Sequence, residues 1–146
     1  MRIRVDTAEV HTLHDDGRHW DNLGSAPIPK EELGAFFALS LSHQLERLAA
    51  VGDVPNPPDV SVRLWVDGQM VLETNAHESF DPAWGLDEPT VDLAPGTQVR
   101  VDVEDLDLAF HDQIGEITVT VPEQTADGHW VLGPFGQVRR LVLRCE

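Results

Sequence analysis

Asp105, Asp107 and Asp112 are the residues of this 146-residue chain best suited to do chemistry. An alternating run, Val99, Val101 and Val103, leads into them as a strand, and Ile114-Gly115 opens the next one. Three carboxylates in one short connection repel each other, and each raises its neighbours' pKa. Full solvation or a bound cation relieves that repulsion. Calcium suits such a segment because it takes roughly six to eight hard oxygen ligands in flexible geometry. A bound ion can also keep coordination positions open for a phosphate or another anion.

Composition narrows the setting for that chemistry. The chain carries 26 acidic and 10 basic residues, a net charge of -16. That balance argues against nucleic acid as a partner, since phosphates are met by Lys and Arg. It also argues against direct binding to anionic membrane unless cations reverse the local field. A hydrophobic fraction of 41% implies a packed core, and the length implies one domain spanning 1–146. Cys145 is the only cysteine, so neither an internal disulfide nor a cysteine-based metal site is available. The first residues, MRIRVDTAEV, lack the apolar core of a signal peptide, and no run reaches membrane-spanning length. The expected location is cytoplasmic, or peripheral to a membrane if loaded loops meet lipid.

The elements that must position the aspartates follow from periodicity. Ile3 and Val5 alternate with Arg2, Arg4 and Asp6, which predicts a half-buried strand over Arg2 to Val10. Residues 11–29 are polar and turn-rich. Leu33, Phe37, Leu41, Leu45 and Leu48 recur at helical spacing behind Glu31 and Glu32, which predicts a helix near residues 30–50. Gly52 and the prolines Pro55, Pro57 and Pro58 stop it. From Val60 onward the period is two. Strands are expected at Val60–Val66, Gln69–Thr74, Thr90–Leu93, Val99–Val103, Ile117–Val121 and Val138–Leu143, with a hairpin at Asp67-Gly68 and a turn at Pro95-Gly96. Short strands separated by Gly and Pro turns predict an all-β antiparallel sandwich interrupted by one helix.

Three segments in order resemble the C2 domain, the calcium- and phospholipid-binding β-sandwich family. Val103-Glu104-Asp105-Leu106-Asp107, then Asp112 and Ile114-Gly115, is similar to the family's V-x-D-x-D…D-x-I-G stretch. Thr74 followed by Ser79-Phe80-Asp81-Pro82-Ala83-Trp84 resembles its T…N-P-x-W stretch, with Asp in place of Asn. Asp16-Gly17, Trp20-Asp21 and Gly24-Ser25-Ala26-Pro27 resemble the first calcium loop. The resemblance implies an eight-stranded Greek-key sandwich and a divergent, bacterial-type member with a helical insertion at about residues 30–55. It also implies that the loop after the first strand and the loop after Val103 meet at one end. Asp21 then faces Asp105, Asp107 and Asp112, with Asn56 or Asp59 completing the cup.

The chain departs from that pattern in its first loop. Where the family carries a second Asp just before a Pro, this sequence has Ile28 before Pro29 or Asn56 before Pro57. Ile28 has no ligating atom, and Asn56 offers only a neutral amide oxygen. The resemblance implies a non-catalytic module that binds calcium through Asp21, Asp105, Asp107, Asp112 and Asn56, then an anionic phospholipid or a protein partner. The alternative from another class is a calcium-independent interaction or assembly subunit, including a homo-oligomer formed through the helix face. Simpler readings compete throughout. Asp15, Asp16 and Asp59 fit a solvated acidic loop, and Asp81 fits a turn residue bonding locally. His11, His14 and His19 match no metal-site spacing, and no Ser sits in a Gly-x-Ser-x-Gly turn. His77 and His111 flank the expected cup, where they could tune its charge near neutral pH.

Overall fold

Strands whose branched aliphatic residues turn toward a shared core build this molecule. The computed structural model describes residues 1–12, 57–106 and 111–146. In chain order the strands are β1 (Arg2–Val10), β2 (Asp59–Val66), β3 (Gln69–Glu73), β4 (His77–Glu78), β5 (Val91–Asp92), β6 (Gln98–Leu106), β7 (His111–Thr120), β8 (His129–Leu132) and β9 (Val138–Cys145). They form two antiparallel sheets, one ordered β5-β1-β9-β8 and the other β3-β2-β6-β7. β4 pairs with the start of β2 on the edge that β3 lines further along. Thus β3 and β4 lie on one line beside β2.

The core lies between the sheets. Val62, Leu64, Val101 and Val103 face it from one side, and Ile3, Val5, Leu141 and Leu143 from the other; all are buried. Branched aliphatic side chains suit such a pleated, half-buried surface. Asp67 and Gly68 connect β2 to β3 with φ of 49° and 78°. Positive φ at both central residues matches the right-handed twist of the strands, which is why Asp-Gly serves there.

Two polar devices hold the frame. The first is at Thr74, where β3 has ended. Its N–H donates to the Val62 carbonyl at 3.0 Å, and its hydroxyl accepts the Val62 N–H at 3.0 Å. The side chain thereby replaces a missing ladder partner. Trp84 then closes the following loop. Its indole N–H donates to the Asn75 carbonyl at 2.8 Å, and its backbone N–H donates to Asp6 on β1 at 2.8 Å.

The second device is a close backbone approach at the Ile114-Gly115 pair. A Cβ on Gly115 would sit 2.9 Å from the Phe135 carbonyl oxygen, and one on Gly136 would sit 2.7 Å from that of Ile114. Gly136 also has a φ of +52°, which side chains rarely adopt. The approach lets Gln137 donate its N–H to the Ile114 carbonyl at 2.7 Å, while its own carbonyl accepts from His11 at 2.9 Å. One short segment thus ties β7 to the exit of β1.

The structure corrects several sequence expectations. β6 runs on through Leu106, and β7 begins at His111. Asp105 and Asp112 are therefore strand residues, not loop residues. The backbone ladder is indifferent to side-chain charge and continues until the chain must turn. β4 and β8 have no counterpart among the expected strands, and the one expected at Thr90–Leu93 shortens to Val91–Asp92. Arg4 lies on the face opposite Ile3 and Val5, as the alternation predicts, yet is only 6% exposed because its guanidinium is drawn against the Gly85 carbonyl. The helix near residues 30–50 and the insertion at 30–55 lie outside the described residues.

Candidate metal centre

The end of the sandwich reached by the last residues of β1 and β6 gathers acidic side chains. Asp105 continues the inward series Val99, Val101, Val103, so alternation alone carries it to the rim of the core. It is fully buried. Its Oδ1 accepts the backbone N–H of Asp59 at 2.9 Å. Its Cα partners are Val60 on β2 and Asp112 on β7. Two carboxylates are therefore directly opposed across an antiparallel pair, where facing side chains stand roughly 5 Å apart at Cβ and like charges destabilise. Asp112 is half-buried, as is Asp59.

Other segments meet at the same end. Ser79 donates its N–H to the Pro58 carbonyl at 3.1 Å, and Val10 donates to that of Phe80 at 2.7 Å. The loop Ser79–Asp81 and the exit of β1 therefore adjoin Asp59. Asp81 is engaged locally. Its N–H donates to the Ser79 hydroxyl at 3.1 Å, and that hydroxyl lies 3.3 Å from Asp81 Oδ1. His77 packs edge-on against Trp84, with ring centroids 5.8 Å apart.

The structure thus brings Asp105 and Asp112 together and sets the backbone of Asp59, one of the two residues expected to complete the cup, beside Asp105. Asp21, Asn56 and Asp107 lie outside the described residues, as do His14 and His19. Among the described residues, no group of three or more His, Cys, Asp or Glu side chains is arranged to hold a metal ion. Asp59, which also fits a solvated acidic loop, engages Asp105 through its backbone N–H. A residue just before the first buried valine of β2, opposite a strand-end Asp, is the signal that points to it.

Charges elsewhere on this sheet are mostly paired. On its outer face Arg63 bridges Glu104 at 2.8 Å and Glu73 at 3.1 Å. Arg100 lies 4.8 Å above the Trp65 ring and donates to Asp102 Oδ2 at 3.3 Å. Burial pushes the Asp102 carboxyl above the usual range, and Arg100 pulls it back only in part. Cys145 is buried in the core, and burial raises its thiol pKa, as expected of an inert cysteine.

The two-sheet antiparallel sandwich is an architecture shared with solved C2 structures. A structure of a C2 domain is 11% identical, aligned over 99% of this chain and 94% of that one with a TM-score of 0.56. The calcium-bound paired C2 domains of extended-synaptotagmin 2 are 15% identical, aligned over 98% of this chain and 44% of that one at 0.51. Human GIVD cytosolic phospholipase A2, in complex with an inhibitor and terbium chloride, is 13% identical, aligned over 97% of this chain and 16% of that one at 0.52. The chain therefore spans less than half of each of these two larger chains. The sequence matches no protein-family model, and no curated protein matches it. By fold, the chain is a divergent C2-like β-sandwich. No helix among its described residues is long and apolar enough to cross a membrane.

Proposed function

We propose that this chain is a non-catalytic C2-like module that binds calcium at its acidic end and then engages an anionic phospholipid or a protein. The observation that carries the reading is the direct pairing of Asp105 with Asp112 across β6 and β7, with Asp59 adjoining. Like charges held this close favour a divalent ion, and the donors are hard oxygens of the kind calcium prefers. Asp107, Asp21 and Asn56 are the further ligands that the sequence supplies. The ion neutralises local charge and can bridge to a phosphate oxygen.

The full burial of Asp105 and its bond to the Asp59 N–H favour a second reading. In it Asp105 ties the start of β2 to β6, and the chain is a calcium-independent interaction or assembly subunit. Calorimetric titration of wild type and of Asp105→Asn/Asp107→Asn with calcium separates the two. The first reading requires binding and a rise in melting temperature for wild type alone. Indifference of wild type to millimolar calcium rejects it.

A further inference from the structure

Opposite the acidic end, β1 and β9 present charge of the other sign. Arg4 and Arg144 are direct cross-strand partners. They lie on the outer face, since Ile3, Val5, Leu141 and Leu143 take the inner one. Arg2 is two residues along on the same face, and its backbone exchanges two 2.9 Å hydrogen bonds with Glu146. These arginines, with Leu86, Thr90 and Glu146, line a cavity of about 170 Å³.

Three facts set this cluster apart. The chain has only 10 basic residues against 26 acidic ones, yet three of the 10 meet here. Like charges directly opposed on an antiparallel pair destabilise it, but among the described residues no ion pair neutralises Arg4 or Arg144. Arg2 has only a 3.7 Å contact to Asp92, with side chains 58% and 75% exposed. Finally, Arg4 is nine-tenths buried, and its guanidinium is held by a 2.8 Å bond from Nη1 to the Gly85 carbonyl. Burying a cation is costly without a partner. One carbonyl occupies one of its five N–H donors and fixes the orientation of the rest.

We propose that Arg2, Arg4 and Arg144 form a binding site for a phosphate-class oxyanion. The planar fork of each guanidinium fits two oxygens of such a group. A tetrahedral dianion has enough oxygens to be approached from three sides, whereas a single carboxylate has two. Thr90 adds a hydroxyl at the wall. A free phosphate and a phosphomonoester lipid headgroup share this chemistry, and the 81% exposed Leu86 at the site would meet acyl chains in the second case. The site lies at the far end of β1 from Asp105 and Asp112, so it needs no calcium.

The test uses the full chain in EDTA. Calorimetry with pyrophosphate and inorganic phosphate forms one arm. Flotation with phosphatidylcholine vesicles, with and without phosphatidic acid, forms the other. Arg2→Gln/Arg144→Gln changes two exposed side chains, and circular dichroism checks that the variant is folded. Wild type is expected to bind in at least one arm, and the arm that responds identifies the source of the phosphate. The double variant is expected to lose about tenfold in affinity or more, the worth of roughly one charge-assisted hydrogen bond. The EDTA removes calcium throughout, which keeps this result separate from the calcium reading. No heat and no flotation by wild type overturns the proposal, as does binding by the folded double variant within twofold of wild type.

Discussion

At one end of the sandwich carboxylates are opposed across β6 and β7, and at the other guanidinium groups are opposed across β1 and β9. From Arg4 to Val10 along β1 the separation is about 20 Å at the usual rise per residue. That exceeds the Debye length of roughly 8 Å at physiological salt, so the two ends act independently. They also differ in construction. Asp105 sits within the core's own alternation and takes a backbone N–H, which binds it to the fold. Arg144 and Arg2 stand in solvent, and only Arg4 is anchored. Carboxylates at the acidic end thus serve the frame as well as any ligand, whereas the exposed arginines can change without harm to packing.

The largest expected effect comes from the backbone approach under the acidic end. Gly136→Ala places a Cβ against the Ile114 carbonyl at positive φ. It should cost about 2–4 kcal/mol in urea unfolding, and calcium binding should weaken with it. A loss below about 0.5 kcal/mol would show that this junction is not what holds the end together.

Thr74→Val comes next. It strips the acceptor from the buried Val62 N–H and should cost about 1–3 kcal/mol. Since it lies on the β2 side of the frame, hydrogen exchange is expected to rise at Val62 and not at Arg4.

Asp105→Asn is expected to be milder, within about 1 kcal/mol without calcium. The amide oxygen still accepts the Asp59 N–H, and repulsion with Asp112 is relieved. Its signature is loss of the calcium-dependent rise in melting temperature. A variant that still responds as wild type does would remove Asp105 from the ligand set.

The smallest effect belongs to Asp102, away from both ends. Its native carboxyl binds a proton more tightly than the unfolded one does, chiefly through burial. Stability from this group is therefore present at acid pH. It falls as pH rises from the ordinary carboxylate range through the raised native value. Asp102→Asn should flatten that part of the pH profile and stabilise by about 0.5 kcal/mol at pH 7. An unchanged profile would rule out the burial penalty.

Much of this frame was legible in the residues. The alternation of Val60, Val62 and Leu64, and of Val99, Val101 and Val103, announces two strands whose partners must be antiparallel. Asp67-Gly68 announces the hairpin between the first of them and the next. Asp105 and Asp112 could be singled out by charge density alone. What could not be read was their setting. The same alternation that buries Val103 also buries Asp105, yet a charge at that step reads as the start of a loop.

Local periodicity, turn chemistry and the choice of carboxylates over other donors belong to the sequence itself, because each depends only on neighbours a few residues away. The pairing of Arg4 with Arg144 spans most of the chain, and that of Asp105 with Asp112 depends on where a ladder stops. Both were decided when the sheets closed on a shared core, since register is chosen by packing that no short segment contains.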